Sequence, residues 1–206
     1  MGSQTPKQFI AINGVPIVVH TIRAFKKADP ETIIILVLPK DQQDRWAKIS
    51  NDAGLEDIQV VTGGEERFNS VKNGLELIDE GTEGLVAVHD AVRPCIDPSI
   101  IKRSYEFAET RGSAVVCVPS KDSLRKTTKE GSEAVDRSAY FIVQTPQVFK
   151  VNLIKEAYKQ ANHGTFTDDA SVVDQYGATV TIVEGDYKNI KVTTPEDLLI
   201  AELYLK

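Results

Sequence analysis

The chain is poor in the residues that staple or metallate a fold. It has two cysteines in 206 residues, Cys95 and Cys117, both in or beside apolar segments and without metal-ligand spacing. A disulfide framework and a zinc ribbon therefore do not fit, and reduced structural thiols in a reducing compartment, most simply the cytoplasm, are expected. The histidines His20, His89 and His163 share no ligand spacing, and no nucleophile–base pair stands out. Neither Gly-x-x-x-x-Gly-Lys-Ser/Thr nor Gly-x-Gly-x-x-Gly occurs, which argues against a P-loop ATPase and a typical dinucleotide dehydrogenase. No apolar run approaches the roughly 20 residues that span a bilayer, so no membrane association is expected. The start, Met1-Gly2-Ser3-Gln4-Thr5-Pro6-Lys7, has no apolar core of a secretory signal. A basic excess is missing too, since 24 Lys and Arg face 30 Asp and Glu for a net charge of −6. Nucleic-acid coating needs a basic stripe, so it is disfavoured. A small anionic substrate is not, because a few placed cations can build a local positive site on an acidic protein.

What is present is enough apolar residue, 41% of the chain, to bury one core, so a single domain over 1–206 is expected. Apolar β-branched runs at 32–38, 58–62, 85–89, 113–118 and 178–183 read as strands. Helical patterns cover about 16–27, 41–52, 69–78, 98–110 and 195–205. Near-continuous apolar strands alternating with helices imply an α/β fold, a Rossmann-like, doubly wound, mostly parallel sheet covered on both faces. The polar stretch 119–137 breaks the alternation and carries Lys129-Glu130-Gly131, a hairpin-turn candidate. It reads either as a solvated excursion or as a β-hairpin arm that docks on a partner subunit.

Five polar islands could carry chemistry. The most informative is LVAVHDAVRP at 85–94, where an apolar strand stops and Asp90 and Arg93 follow. At the carboxyl end of a strand in an open α/β sheet, an acid can attend a metal or ribose and an arginine can grip phosphate. A structural ion pair is the competing reading. Lys7, beside Pro6, offers a point charge to phosphate or is solvated surface. At 63–74, Gly63 and Gly64 permit close backbone approach ahead of a helix N-terminus that favours anions, or simply turn a strand into a helix. At 136–149, Thr145, Gln144 and Gln147 suit sugar hydroxyls or phosphate, against a plain Thr-Pro turn. At 189–198, Thr194, Pro195 and Asp197 form a helix start, which leaves Lys191 to point at something anionic. Thr167 to Ser171 also reads first as a helix N-cap with acids in the first turn.

Taken in order, these runs resemble the cytidylyltransferase family typified by 2-C-methyl-D-erythritol 4-phosphate cytidylyltransferase. The matching stretches are PKQF at 6–9, GGEERFNSVKNGL at 63–75, HDAVRP at 89–94, DR at 136–137, QTPQVF at 144–149, TDDAS at 167–171 and NIKVTTPEDL at 189–198. Together they span nearly the whole chain. The resemblance implies a fold of the nucleotide-diphospho-sugar transferase type, and transfer of CMP from CTP to a polyol phosphate with release of pyrophosphate. It implies catalytic roles for Lys7, Arg137 and Lys191, and CTP contacts from Gly64, Glu65, Arg67, Ser70, Asp90 and Ala91. Arg93, Arg137, Thr145, Thr167 and Lys191 would hold the methylerythritol phosphate, with Mg²⁺ on the triphosphate and Asp90 the nearby carboxylate. It further implies a homodimer formed through the arm at 119–137, with Arg137 reaching the neighbouring site.

One departure stands out. Family members carry a strand and an Ala-Ala-Gly-x-Gly-x-Arg-Met run ahead of PKQF, whereas this sequence starts at that Met. The first strand, the glycine-rich triphosphate loop and its arginine are expected to be missing, and an internal strand to lack partners. Two other functions share the motifs: the sister activity on ribitol 5-phosphate, and a non-catalytic CTP-binding dimeric protein.

Overall fold

A computed structural model describes residues 5–161 and 166–206. His163 lies outside them. The elements run β1 (Ala11–Ile12), β2 (Val15–Pro16), α1 (Ile17–Ala28), β3 (Ile35–Leu38), α2 (Gln43–Ala53), β4 (Gln59–Thr62) and α3 (Arg67–Glu76). They continue with β5 (Leu85–Val88), α4 (Pro98–Arg111), β6 (Ser113–Pro119), β7 (Arg125–Thr128), β8 (Gly131–Ala134) and β9 (Phe141–Lys150). The last four are α5 (Val151–Gln160), α6 (Asp169–Gln175), β10 (Ile182–Glu184) and α7 (Pro195–Tyr204).

Local chemistry sets most of these boundaries. α1 buries Ile17, Val18, Thr21, Ile22, Phe25 and Ala28, a three-to-four spacing that lays one apolar stripe on the sheet. α4 starts at Asp97, whose carboxylate takes the Ser99 N–H, with Pro98 in the first turn, and ends at Gly112 in the left-handed region. α7 opens with a capping box in which Thr194 and Asp197 exchange side-chain and backbone hydrogen bonds. Six consecutive residues of β6, Ser113 to Val118, are buried, because helices cover both faces of the sheet there.

The main sheet has the order β10-β6-β9-β5. β10 and β6 are parallel, while β9 runs antiparallel to both β6 and β5. The sheet is thus mixed rather than mostly parallel, and its odd member is β9, a ten-residue strand absent from the sequence-based expectation. β3 and β4 form a separate parallel pair. The Lys-Glu-Gly turn is a hairpin, β7 with β8, exposed along both strands.

Among the described residues, β3 pairs only with β4, and β5 only with β9. A slot separates their unpaired edges. One cavity of about 500 Å³ lies between Ile35, Leu36, Val86 and Ala87, lined also by α1 through Val18 and Phe25. A second, of about 260 Å³, lies between the same strands, lined by α3 through Ser70, Val71 and Gly74. The first cavity is lined from 32–36 and 82–87 and the second from 35–37 and 86–91, so both strands advance from one cavity to the other in the same direction.

Candidate active site

The carboxyl end of β5 delivers His89 and Asp90 to this slot, and β9 crosses beside them. The buried Thr145 hydroxyl accepts the Asp90 backbone N–H at 3.1 Å, which fixes the turn to β9. Asp90 Oδ2 accepts from Arg93 Nε at 3.1 Å and from Lys191 Nζ at 3.2 Å. Burial pushes the Asp90 carboxyl up, but the Lys191 and Arg93 charges more than offset it and hold it below the ordinary range. Lys191 does point at an anion, and the anion is Asp90. Arg93 is almost buried and donates its second bond to the Asn189 carbonyl at 2.9 Å. Asn189, fully buried, in turn donates to the Thr145 carbonyl at 2.8 Å, tying the chain before α7 to β9. Asp90, Arg93, Thr145 and Lys191 therefore form one cluster, drawn from three places in the sequence.

The glycine turn after β4 closes on itself. Gly64 N–H donates to Ser70 Oγ at 3.1 Å, so the helix start and the loop hold each other. A Cβ on Gly64 would stand 2.3 Å from Asn69 Cβ, so close approach rather than positive φ demands glycine here. Glu65 is exposed on the same turn. Arg67, the first residue of α3, lines the slot cavity with Ser70, Asp90 and Ala91. Its guanidinium is nevertheless occupied by Asp169 in a two-pronged pair at 3.1 and 2.5 Å. Burial lowers its pKa, and the Asp169 hydrogen bond and charge reverse that, so it stays a cation. Ala91 gives its carbonyl to the Thr21 hydroxyl at 3.0 Å.

The other expected residues stand apart from the cluster. Lys7 is exposed on a single 3₁₀ turn, Lys7–Phe9, anchored by buried Phe9 under the Arg45 guanidinium. Thr167 is exposed immediately before Asp168, which caps α6 by accepting the Ser171 N–H at 3.0 Å. Arg137 is exposed at the base of the hairpin, with its guanidinium donating to the Lys121 carbonyl. The two glutamines are not displayed for a ligand. Gln144 donates to the Asp186 carbonyl at 2.9 Å, and Gln147 bridges Asp168 and the Ala170 N–H.

Residues that sequence reasoning missed are Asp169, Tyr158 and Asn189, all buried and polar. The signal was weak but present for Asp169. Two adjacent acids stand at the start of α6 and only one can cap it, so the other needed a cation elsewhere. The thiols of Cys95 and Cys117 are unpaired, and burial pushes both up to about 11.

Comparison with known proteins places this geometry. The profile of the 2-C-methyl-D-erythritol 4-phosphate cytidylyltransferase family, IspD, matches residues 1–206. The chain belongs to this family. A Bacteroides thetaiotaomicron relative named 2-C-methyl-D-erythritol 4-phosphate cytidylyltransferase is 48% identical over 206 residues, covering 100% of this chain and 93% of the relative. One from Bacillus velezensis with the same name is 42% identical, covering 97% and 88%. The crystal structure of 4-diphosphocytidyl-2C-methyl-D-erythritol synthase from Anaerococcus prevotii superposes with a TM-score of 0.88 at 28% identity, over 99% of this chain and 92% of that one. The Thermus thermophilus 2-C-methyl-D-erythritol 4-phosphate cytidylyltransferase gives 0.77 at 31% identity, over 98% and 94%. The family's α/β fold is therefore the one described above, and the chain is a nucleotidyltransferase.

Proposed function

We propose that this chain transfers CMP from CTP to 2-C-methyl-D-erythritol 4-phosphate, releasing pyrophosphate, in the non-mevalonate route to isoprenoids. The observation that carries the reading is the Asp90–Arg93–Lys191 cluster at the carboxyl end of β5, beside the glycine turn that starts α3. A phosphate oxygen of the polyol attacks the α-phosphorus of CTP in line. One P–O bond forms, the bond to the bridging β-phosphate oxygen breaks, and pyrophosphate departs with that electron pair. No side chain becomes covalently attached, so catalysis is positioning plus charge stabilisation.

The residues divide by position. The turn carrying Gly64, Glu65 and Ser70 presents backbone groups to the cytosine end, and Asp90 with Ala91 bounds the ribose and phosphates. Lys191 is 44% exposed and held by a single carboxylate, so it can swing its ammonium onto the substrate phosphate with Arg93 and Thr145 behind it. Lys7 answers charge at the α-phosphate, and Thr167 closes the polyol side. Among the described residues no group of three or more His, Cys, Asp or Glu is placed to hold a metal, and Asp90 Oδ2 already serves two cations. One carboxylate of this kind fits a Mg²⁺ liganded mainly by phosphate and water, and such an ion neutralises triphosphate charge when bound.

The arm supports a homodimer. β7–β8 is exposed throughout, and the adjoining Tyr140, Phe141, Ile142 and Val143 form an exposed apolar run suited to a second copy. Arg137, at the arm's base, would then enter the partner's site. The slot between β3 and β5 has room for one more parallel strand: among the described residues its edges are unpaired, Ile33 in its lining is 79% exposed, and the buried His89 Nδ1 has no hydrogen-bond partner. That strand and the loop following it would form the wall opposite Asp90. No helix among the described residues is long and apolar enough to cross a membrane. The two unpaired thiols support a reducing compartment, the cytoplasm.

Pyrophosphate release with CTP and Mg²⁺ tests the reading, with methylerythritol phosphate and ribitol 5-phosphate as parallel acceptors. Faster turnover of the methylerythritol phosphate is expected. Faster turnover of ribitol phosphate would move the assignment to the sister activity, and release with neither would leave a CTP-binding protein.

A further inference from the structure

We infer that Asp169 is a positioning residue that locks the nucleotide end of the site to its polyol-phosphate end, an assignment that rests on the function proposed above. Its carboxylate is fully buried and takes three hydrogen bonds. Two come from the Arg67 guanidinium at 3.1 and 2.5 Å, and the third from the Tyr158 hydroxyl at 2.6 Å. Paired N–H···O bonds of this kind fix orientation as well as distance. Arg67 is the first residue of α3, directly after the turn that holds Gly64 and Ser70. Phe68 stacks on the Tyr158 ring at 4.7 Å, so the same helix end is held by an apolar contact beside the polar one.

The other side of the lock leads to the acceptor end. Asp169 sits between Asp168 and Ala170, and both of these bond to Gln147. Gln147 donates to Asp168 Oδ2 at 3.0 Å and accepts the Ala170 N–H at 2.8 Å, entirely out of solvent. It lies on β9 two residues beyond Thr145, whose hydroxyl holds the Asp90 N–H. Thr167 is two residues before Asp169. One turn, 167–171, therefore joins α3, β9 and a substrate-side residue. With its charge met by Asp169, Arg67 serves the ligand by fixing α3 rather than by donating to phosphate.

Such a lock matters because in-line transfer needs two substrates at a fixed separation, and a displacement of about 1 Å can cost about 100-fold in rate. A purely stabilising ion pair would make a different prediction, since buried pairs replaced by apolar residues of similar size often lose no stability. Kinetics and melting temperature therefore separate the two.

The test compares the unaltered protein with Asp169→Asn, with the double variant Arg67→Met, Asp169→Leu, and with Tyr158→Phe. The expected result for the first two is a kcat fall of about 10–100-fold per folded molecule, with both KM values raised. In the double variant this defect persists while the melting temperature stays close to that of the unaltered protein. Tyr158→Phe keeps the ion pair and loses little. A folded double variant with unaltered kcat and KM overturns the assignment, as does an Asp169→Asn protein that loses only thermal stability. A second readout needs no turnover. Amide resonances of Gly64 and Asp90 should shift together in Asp169→Asn, and shifts confined to α3 and α6 would overturn the coupling. Failure of the unaltered protein to release pyrophosphate would count against the proposed reaction, while the resonance shifts would still decide the coupling.

Discussion

Replacing Asp90 by Asn probes the cluster's electrostatics most sharply. The Asp90 and Arg93 side chains are 14% and 11% exposed, so the pair is largely out of water. Removing one member of a buried pair costs about 3–5 kcal/mol when the other charge is left bare. Here the loss is smaller, because Arg93 keeps the Asn189 carbonyl and Asn retains an acceptor oxygen. Lys191 is half exposed, so its share of the loss is below about 1 kcal/mol. The Thr145 bond survives, since it is made to the Asp90 backbone. A net loss of about 2–3 kcal/mol follows, which for a domain of this size is a fall of roughly 4–12 °C in melting temperature. Scanning calorimetry at pH 7 reads it directly. The pH dependence fixes the cause. A carboxyl held below its ordinary value contributes fully above about pH 4, and the contribution fades as pH falls through the folded value. The gap between Asp90→Asn and the unaltered protein should therefore narrow on acidification. A gap under about 1 °C at pH 7, in place of several degrees, would refute the ion-pair account. So would a gap that widens as the pH drops.

Three further outcomes follow from local geometry. Gly64→Ala pushes a Cβ to within 2.3 Å of Asn69, so the turn must open at a cost of about 1–3 kcal/mol, and KM for CTP should rise while KM for the polyol phosphate changes less; an unchanged KM for CTP would detach this turn from the nucleotide. His89 is pushed down to about 4 by burial, so its ring should stay neutral through the physiological range by NMR titration. The unfolded chain protonates near 6.5, so this residue's share of stability, about 3 kcal/mol at most, should be lost as pH falls from 6.5 towards 4, and a midpoint near 6.5 in the folded protein would contradict its burial. The slot-facing amides of β3 and β5 should exchange hydrogen at least about 100-fold faster than those of β6 and β9, and equal protection would mean the edges are paired.

Much of this fold can be read along the chain because its elements announce themselves locally. The buried run at β6, the capping box of α7 and the Lys-Glu-Gly hairpin turn all depend on neighbours in sequence. β9 does not. Gln144, Thr145 and Gln147 make its pattern look like a polar turn, yet all three are buried because partners on Asp186, Asp90, Asp168 and Ala170 satisfy them from afar. β3 is shorter than its apolar run suggests, since among the described residues its ladder is made with β4 alone and begins at Ile35. In the site, Asp90, Arg93 and Lys191 were legible as unexplained charges at element ends. That Lys191 meets Asp90 was not, because 101 positions separate them and only the folded sheet brings them together. Arg67 was legible as a cation beside a glycine turn, expected at the CTP end. Its pairing with Asp169 was not, because 102 positions separate them and Asp169 looks like a surplus helix-cap acid.

Lys191→Ala tests the central claim, that this cluster receives the acceptor phosphate. Loss of one charge-assisted hydrogen bond in the site is worth about 1.5–3 kcal/mol, or roughly 10–100-fold. Steady-state pyrophosphate release should therefore show KM for methylerythritol phosphate raised by about that factor, with KM for CTP within about threefold of the unaltered value. Equal losses for the two substrates would contradict the account, and so would an unaltered KM for the acceptor.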